Sequence, residues 1–301
     1  MKVAVWIILC LIWGSTWIFI KIGLADLPPI TFSAARFLLA VVILAPVVIR
    51  WNLPLPKNSS EWKLIAFTGI LQFAVNYSAV FWSEQYISSG LAAVLQATIT
   101  VFGLLLAWIF LPSERITRLK IFAVLIGVAG VAVIFVDQLR VNDLRAFAGC
   151  VAIVIGAYAA AQASILVKAK AGSIHPAALV MSQMAFGLPV IITYALLADG
   201  NPLALNWTPR AIVCVVYLSL VGTIAAFWLY YWLLSRIEST RAMMISLVTP
   251  LIAVIIGNLV LGETLPPQTI AGGFLILTSI GLIVFRKNAK AVQRGDAETL
   301  S

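Results

Sequence analysis

Ten long apolar runs separated by short polar segments leave this chain few ways to fold. They lie near 4–22, 30–49, 62–82, 88–111, 118–136, 146–167, 177–197, 210–234, 240–261 and 268–285. A hydrocarbon layer about 30 Å thick is crossed by about 20 apolar residues in a helix, and each run comes close to that. In lipid every backbone polar group must be paired within a helix or a closed barrel. Barrel strands are shorter and alternate apolar with polar, so these runs read as helices. The charge content agrees, since only 10% of the 301 residues are charged, against roughly 25% in a soluble domain.

The first run follows Lys2, as a secretory signal would. It exceeds a signal's apolar core, however, and carries Trp13, Trp17 and Lys21, with only a poor small-residue cleavage site near Ala25. It is therefore expected to remain as a helix. The net charge of +9 is explained by placement. With the N-terminus cytoplasmic, that side receives 15 of the 20 basic residues, among them Lys57, Arg115, Lys168, Arg236 and Arg286, and leaves Lys21, Arg36, Arg140, Arg145 and Arg210 for the other. This bias puts both termini inside, with the lipid bilayer and a small-molecule substrate as partners and no need for nucleic acid. Cys10, Cys150 and Cys214 fall singly in three helices, with neither disulfide nor zinc spacing.

The segment Phe81 to Leu111 returns 150 residues later as Tyr231 to Leu261, pairing Trp82 with Trp232, Ile87 with Ile237, Ser89 with Ser239 and Ala92 with Ala242. In both copies an aromatic helix end leads to a polar turn, an apolar helix, a Glu (Glu114, Glu263) and one last glycine-bearing helix. A shift of 147 aligns the leading helices, pairing Lys21 with Lys168, Pro29 with Pro176 and Arg36 with Gln183. Such duplication marks a repeated unit. Five helices per copy is an odd number, so the second copy enters the membrane from the opposite side. The expected fold is thus an all-α integral membrane protein of ten transmembrane helices in two inverted five-helix repeats, at 3–136 and 146–286, with a cytoplasmic tail at 287–301. Inverted repeats can present one midplane site to each side in turn, as in many secondary transporters.

Amides and hydroxyls in mid-helix are costly in hydrocarbon unless they face protein or a wet cavity. Gln72 and Asn76 are four apart, hence on one face. Gln96 and Thr100 begin a polar-then-small stripe whose repeat partners are Ser246 and Pro250. Tyr158 and Gln162, then Thr223, Trp228 and Tyr231, add candidates, and Trp13 to Trp17 of the first helix join them. Each has a plainer reading. The amides could bond across helices, Thr100, Ser246 and Thr249 could bond carbonyls of their own helices, and Tyr230 to Trp232 suits an interfacial belt. Pro250 is expected to bend its helix, with the freed carbonyl satisfied locally. Lys21 and Arg36 could attract a carboxylate or phosphate, but snorkelling to the interface is the plainer expectation. Glu114 and Glu263 are expected to stabilise the starts of the fifth and tenth helices, with Thr264-Leu265-Pro266-Pro267 as a cap and first-turn prolines.

Trp13-Gly14-Ser15 with Lys21, Pro29 followed by Arg36, and the two units ending in Glu114 and Glu263 resemble the EamA-type drug/metabolite transporter superfamily over nearly the whole chain. The resemblance implies a ten-helix exporter or exchanger of amino acids, other metabolites, drugs or lipid-linked sugars. Its central cavity would be lined by the first, third and fourth helices of each half, in a bacterial inner membrane. The family often has Pro in mid-fourth helix, where this chain has Thr100, so no bend is implied there. Relatives among small multidrug resistance proteins carry a proton-binding Glu in the first helix, and the matching position here is Trp13.

All 11 carboxylates fall in loops, helix ends or the tail. That favours facilitated diffusion or exchange over carboxylate-based proton antiport. His175, the one histidine, sits beside Pro176 in a loop, so neither a Ser-His pair nor a metal cluster can be assembled at membrane depth. No Gly-rich Lys-Ser/Thr loop for ATP is present. Neither catalysis, cofactor nor metal is expected. Besides the solute exporter, a lipid-carrier translocase and a non-transporting scaffold or sensor fit the same pattern.

Overall fold

The computed structural model describes residues 1–87, 89–139, 143–261 and 267–298, apart from the side chains of 89, 90, 138, 257, 260, 261 and those from 284 onward. Among the described residues there is no strand. The chain forms α1 (Lys2–Gly23), α2 (Pro29–Arg50), α3 (Ser59–Ser83), α4 (Ser89–Ala97 and Ile99–Phe110) and α5 (Arg118–Ile134). It continues with α6 (Leu144–Lys170), α7 (Pro176–Ala198), α8 (Pro209–Leu234), α9 (Ser239–Met243 and Ile245–Leu261) and α10 (Pro267–Glu298). Eight of these are long and apolar enough to cross a membrane, and the apolar part of α10, Pro267–Ile283, is shorter. The backbone of α10 runs on as helix to Glu298, through most of the segment expected as a tail.

Local chemistry sets where helices start. Asn58 Oδ1 accepts from Glu61 N at 2.9 Å, Asp143 Oδ1 from Ala146 N at 2.8 Å and Thr208 Oγ1 from Ala211 N at 3.1 Å, opening α3, α6 and α8. Each satisfies an N–H that the first turn leaves without a partner. Pro29, Pro176 and Pro209 occupy first-turn positions, where no N–H is missed.

Two irregularities recur along the chain. Inside α3, Ile70–Asn76 is wound as π-helix, and inside α8, Leu220–Ala225 is wound the same way. The fourth and ninth helices are each interrupted at one residue, Thr98 and Met244. The resemblance implied no proline bend in α4, and the break there falls at Thr98. Its setting is hydroxyl chemistry: Thr98 Oγ1 donates to Leu95 O at 2.5 Å and Thr100 Oγ1 to Ala97 O at 2.7 Å, bonds that compete with the helical ladder. In α9, Pro250 cannot donate to Ser246 O, and Thr249 Oγ1 reaches that carbonyl at 3.4 Å instead.

Polar ties gather at two ends of the bundle. At one, Lys2 Nζ donates to Arg236 O at 3.1 Å, Trp6 Nε1 to Arg241 O at 2.9 Å and Arg241 Nη2 to Ile283 O at 3.0 Å. At the other, Thr31 N donates to Asp199 Oδ2 at 2.6 Å, Gln268 Nε2 to Asp137 Oδ2 at 2.6 Å and Ser83 Oγ to Gly149 O at 2.8 Å. Asp26 lies at this second end, where Thr208 Oγ1 and the Arg210 guanidinium donate to it. Those bonds hold its carboxyl down at about 2.

The packing partners are α1 with α9 and α8, α6 with α4 and α3, α2 with α7, and α5 with α10. The last pair approaches closely through glycine, since a Cβ on Gly130 would stand 2.8 Å from Gly272 O. Small residues of this kind let two membrane helices pack closely. Phe37, Phe73 and Phe227 join α2, α3 and α8 in the main apolar core, with ring centroids 5.3 and 4.9 Å apart. Large apolar side chains such as Trp108, Phe122 and Phe274 point outward, which suits lipid as the solvent.

Candidate functional site

A cavity of about 160 Å³ lies among α1, α2, α3, α4, α6, α8 and α9. Trp13, Thr16 and Trp17 face it from α1, Gln72, Asn76 and Tyr77 from α3, and Gln96 from α4. Ser164 of α6, Phe227 and Tyr230 of α8, and Met243, Ser246 and Thr249 of α9 complete the wall with Arg36 of α2. Both π-helical segments belong to this site. One carries Gln72 and Asn76, and the other carries Gly222 and Thr223, which receive Arg36. A π turn inserts an extra residue per turn and re-aims side chains, a frequent feature of functional helices.

The site combines paired and unpaired polar groups. Gln96 Nε2 donates to Asn76 Oδ1 at 3.1 Å, and Tyr230 Oη to Ser164 Oγ at 3.3 Å. Gln96 Oε1 and Trp13 Nε1 are buried without a hydrogen-bond partner. Buried polar atoms are nearly always paired, so an acceptor and a donor on two of the cavity-lining residues are left unmatched. The Trp13 ring packs at 5.5 Å from Phe227 and 5.2 Å from Tyr230, giving the site an aromatic side.

Arg36 departs from the snorkelling expectation. It is 2% exposed, and its guanidinium donates to Thr223 Oγ1 from Nε at 3.2 Å and from Nη2 at 2.9 Å, and to Gly222 O at 3.5 Å. The rings of Phe37 and Tyr77 flank it at 5.1 Å. The cause is depth. Arg36 stands seven residues after Pro29, about 10 Å along the axis at 1.5 Å per residue, and it points at α8 rather than along α2 to the interface.

The other sequence candidates are distributed as follows. Trp13, Gln72, Asn76, Gln96 and Ser246 line the cavity, whereas Thr100, Tyr158, Gln162 and Pro250 do not. Thr100 is fully buried with its hydroxyl on Ala97 O, and Ser246 Oγ likewise donates to Met243 O at 2.9 Å. Tyr158 is 46% exposed and packs edge-on against Phe102 at 5.6 Å. Trp228 and Tyr231 line a second cavity of about 360 Å³ beside Lys168, His175 and Arg236. Tyr230 and Tyr231 are both buried, which removes them from an interfacial belt. Besides Arg36, the candidates lacked Tyr77 and Ser164. Ser164 sits two residues past Gln162 and could have been found by following that helix one step further round.

Glu114 does not serve the start of α5, where Thr117 Oγ1 accepts from Lys120 N at 3.3 Å. It is buried against α9, accepting from Ser239 N at 2.9 Å and from Ser239 Oγ at 2.5 Å, and Lys168 Nζ lies 2.7 Å away. Glu263 and its cap, 264–266, lie outside the described residues. The described residues include no group of three or more His, Cys, Asp or Glu placed to hold a metal ion.

The model of the EamA-like transporter family matches residues 1–136 and 147–285. The chain belongs to the EamA-like transporter family. That membership points to a membrane transporter rather than an enzyme. An uncharacterized transporter of Archaeoglobus fulgidus is 30% identical over 290 residues, 94% of this chain and 99% of that one. A probable amino-acid metabolite efflux pump of Salmonella typhimurium is 28% identical over 288 residues, 93% of each chain. A solved crystal structure shares the fold with a TM-score of 0.80 at 14% identity, over 94% of this chain and 96% of that one.

Proposed function

We propose that this EamA-like chain is a secondary transporter that exports or exchanges small amphiphilic metabolites, amino acids among them, by alternating access around the Trp13–Asn76–Gln96 cavity. The observation carrying the reading is that one cavity is walled by α1 to α4 and by α6, α8 and α9 together, with aromatic rings on one side and unpaired polar atoms on residues that line it. At about 160 Å³ it is smaller than the ~300–1,000 Å³ of drug-sized pockets, which suits a solute of amino-acid size.

The account takes the chain as ten membrane helices in two inverted halves, 3–136 and 146–286, set in the plasma membrane with both termini cytoplasmic. Several features support this. A shift of 150 carries the π segment at 70–76 onto 220–226, where α8 is also π-wound. Exchanging the halves turns the α1–α9 and α1–α8 pairs into α6–α4 and α6–α3, while α2–α7 and α5–α10 map onto themselves. Such symmetry lets one half rock against the other about a fixed site. With no carboxylate on the cavity wall among the described residues, the cycle runs by exchange or facilitated diffusion without a proton relay.

The test is flux in proteoliposomes. Asn76→Leu and Gln96→Leu should fold, by size-exclusion profile and thermal unfolding, yet lose at least tenfold in flux. Normal flux in both variants would refute the cavity as the pathway, and strong accumulation driven by a pH gradient would refute the coupling.

A further inference from the structure

Arg36 presents an electrostatic problem that the fold alone does not solve. Every partner of its guanidinium is neutral: the hydroxyls of Thr223 and Tyr77, a backbone carbonyl and two aromatic rings. No ion pair among the described residues includes it. A charge buried within a membrane bundle is expensive unless an opposite charge or many donors and acceptors compensate it. The cavity wall holds this one cation and, among the described residues, no acid. Nearby stand Gln96 Oε1 and Trp13 Nε1, both without partners.

We propose that the cavity selects solutes bearing a carboxylate, that Arg36 is the residue that docks it, and that organic cations are excluded. This rests on the reading of the cavity as the substrate site and narrows the substrate class within it. The planar guanidinium fork matches a carboxylate in geometry and charge, and the bound anion supplies the counter-charge that the bundle lacks. The Trp13 indole N–H and the Gln96 carbonyl then meet the solute's remaining polar groups, and Phe227 and Tyr230 cover its apolar part. A solute whose only charge is an ammonium group would bring Arg36 a like charge and no carboxylate, in a place with little water to screen it.

The experiment uses the purified full chain in lipid nanodiscs and three probes that share a phenyl ring but differ in charge: 3-phenylpropanoate, 3-phenylpropanamide and phenethylamine. Affinities come from calorimetric or fluorescence titration. In the wild type, propanoate should bind tighter than the amide by about tenfold to a hundredfold, the worth of a charge-assisted hydrogen-bond pair, and the amine weakest. In Arg36→Gln this preference should shrink to within about twofold. Arg36→Lys should keep the preference at reduced affinity, because it keeps the charge without the fork. Equal binding of amide or amine by the wild type overturns the proposal, and that result needs no variant to fold. So does an undiminished anion preference in Arg36→Gln, or no binding of propanoate. A wild type that binds with the stated preference yet moves no solute in proteoliposomes would instead sink the transport reading and leave the binding assignment intact.

Discussion

Replacing Glu114 by Ala should destabilise the protein by about 3–5 kcal/mol, the range for removing one partner of a buried ion pair. The structure supplies the reasons. The Glu114 carboxylate, 7% exposed, takes bonds from the backbone N–H and hydroxyl of Ser239 and pairs with Lys168 at 2.7 Å. Charge-assisted hydrogen bonds are worth about 1.5–3 kcal/mol each. Removing the acceptor also leaves the first turn of α9 with an unmatched donor. One feature softens the loss, since Lys168 Nζ also donates to the carbonyls of Leu234 and Ile237 and keeps those partners. The effect should therefore fall near the lower end for Glu114→Ala, and Glu114→Gln should lose less because it keeps an acceptor for Ser239. Lys168→Ala combined with Glu114→Ala should cost less than the sum of the single changes, by about 1–3 kcal/mol of coupling. The assay is equilibrium unfolding in mild detergent with all four proteins. Additive losses, or a Glu114→Ala loss below about 1 kcal/mol, would refute the assignment of this carboxylate as a buried tie between the α4–α5 connection and the starts and ends of α9 and α6.

Three further outcomes follow from the same structure. Burial lifts the Glu84 carboxyl, just beyond α3, from 4.5 to about 7. Because the folded value is raised, the protein is favoured below about pH 4.5 and loses that advantage as pH climbs through 7. Glu84→Gln should thus gain in stability over wild type between pH 5 and 8, by up to roughly 3 kcal/mol, and thermal melts across that range that stay parallel would contradict it. Gly130→Val should weaken the α5–α10 packing, because a Cβ there meets Gly272 O at 2.8 Å and Ile276 at 3.0 Å. Overpacking typically costs about 1–3 kcal/mol, read as a lowered melting temperature, and an unchanged value would contradict the close approach. Tyr158→Ala, which lies on the outer surface, should leave flux within about twofold of wild type, and a large loss would place the pathway elsewhere.

Much of the architecture could be read from the chain because lipid imposes a simple rule. Apolar runs of membrane length must be helices, and the spacing of Lys21 and Lys168, or of Trp82 and Trp232, exposed the duplication. The π turns could not be read, since Ile70–Asn76 and Leu220–Ala225 carry no residue that dictates that winding; the first packs against α6 and α7 and the second against α2 and α1. The break at Thr98 was hidden for a related reason: two hydroxyls bonding back to carbonyls leave no mark as plain as a proline's, and in α9 the break falls at Met244 while the helix runs on through Pro250. Among site residues, Gln72, Asn76 and Gln96 stood out because an amide in mid-helix is costly. Tyr158 and Trp228 could not be sorted, as an aromatic ring is at home in a cavity, a core or lipid. Arg36 was legible as a charge near a helix start, but the seven residues after Pro29 make nearly two turns, too deep for its side chain to reach the interface in preference to α8.

The central claim is that the space around Asn76 opens to each side of the membrane in turn. A single cysteine at Asn76, in a chain whose Cys10, Cys150 and Cys214 are replaced by Ala, can be challenged with a membrane-impermeant maleimide from inside or outside sealed vesicles. Labelling should occur from both sides, at rates that fall when a transported solute is added. Labelling from one side alone, or from neither, would contradict the account.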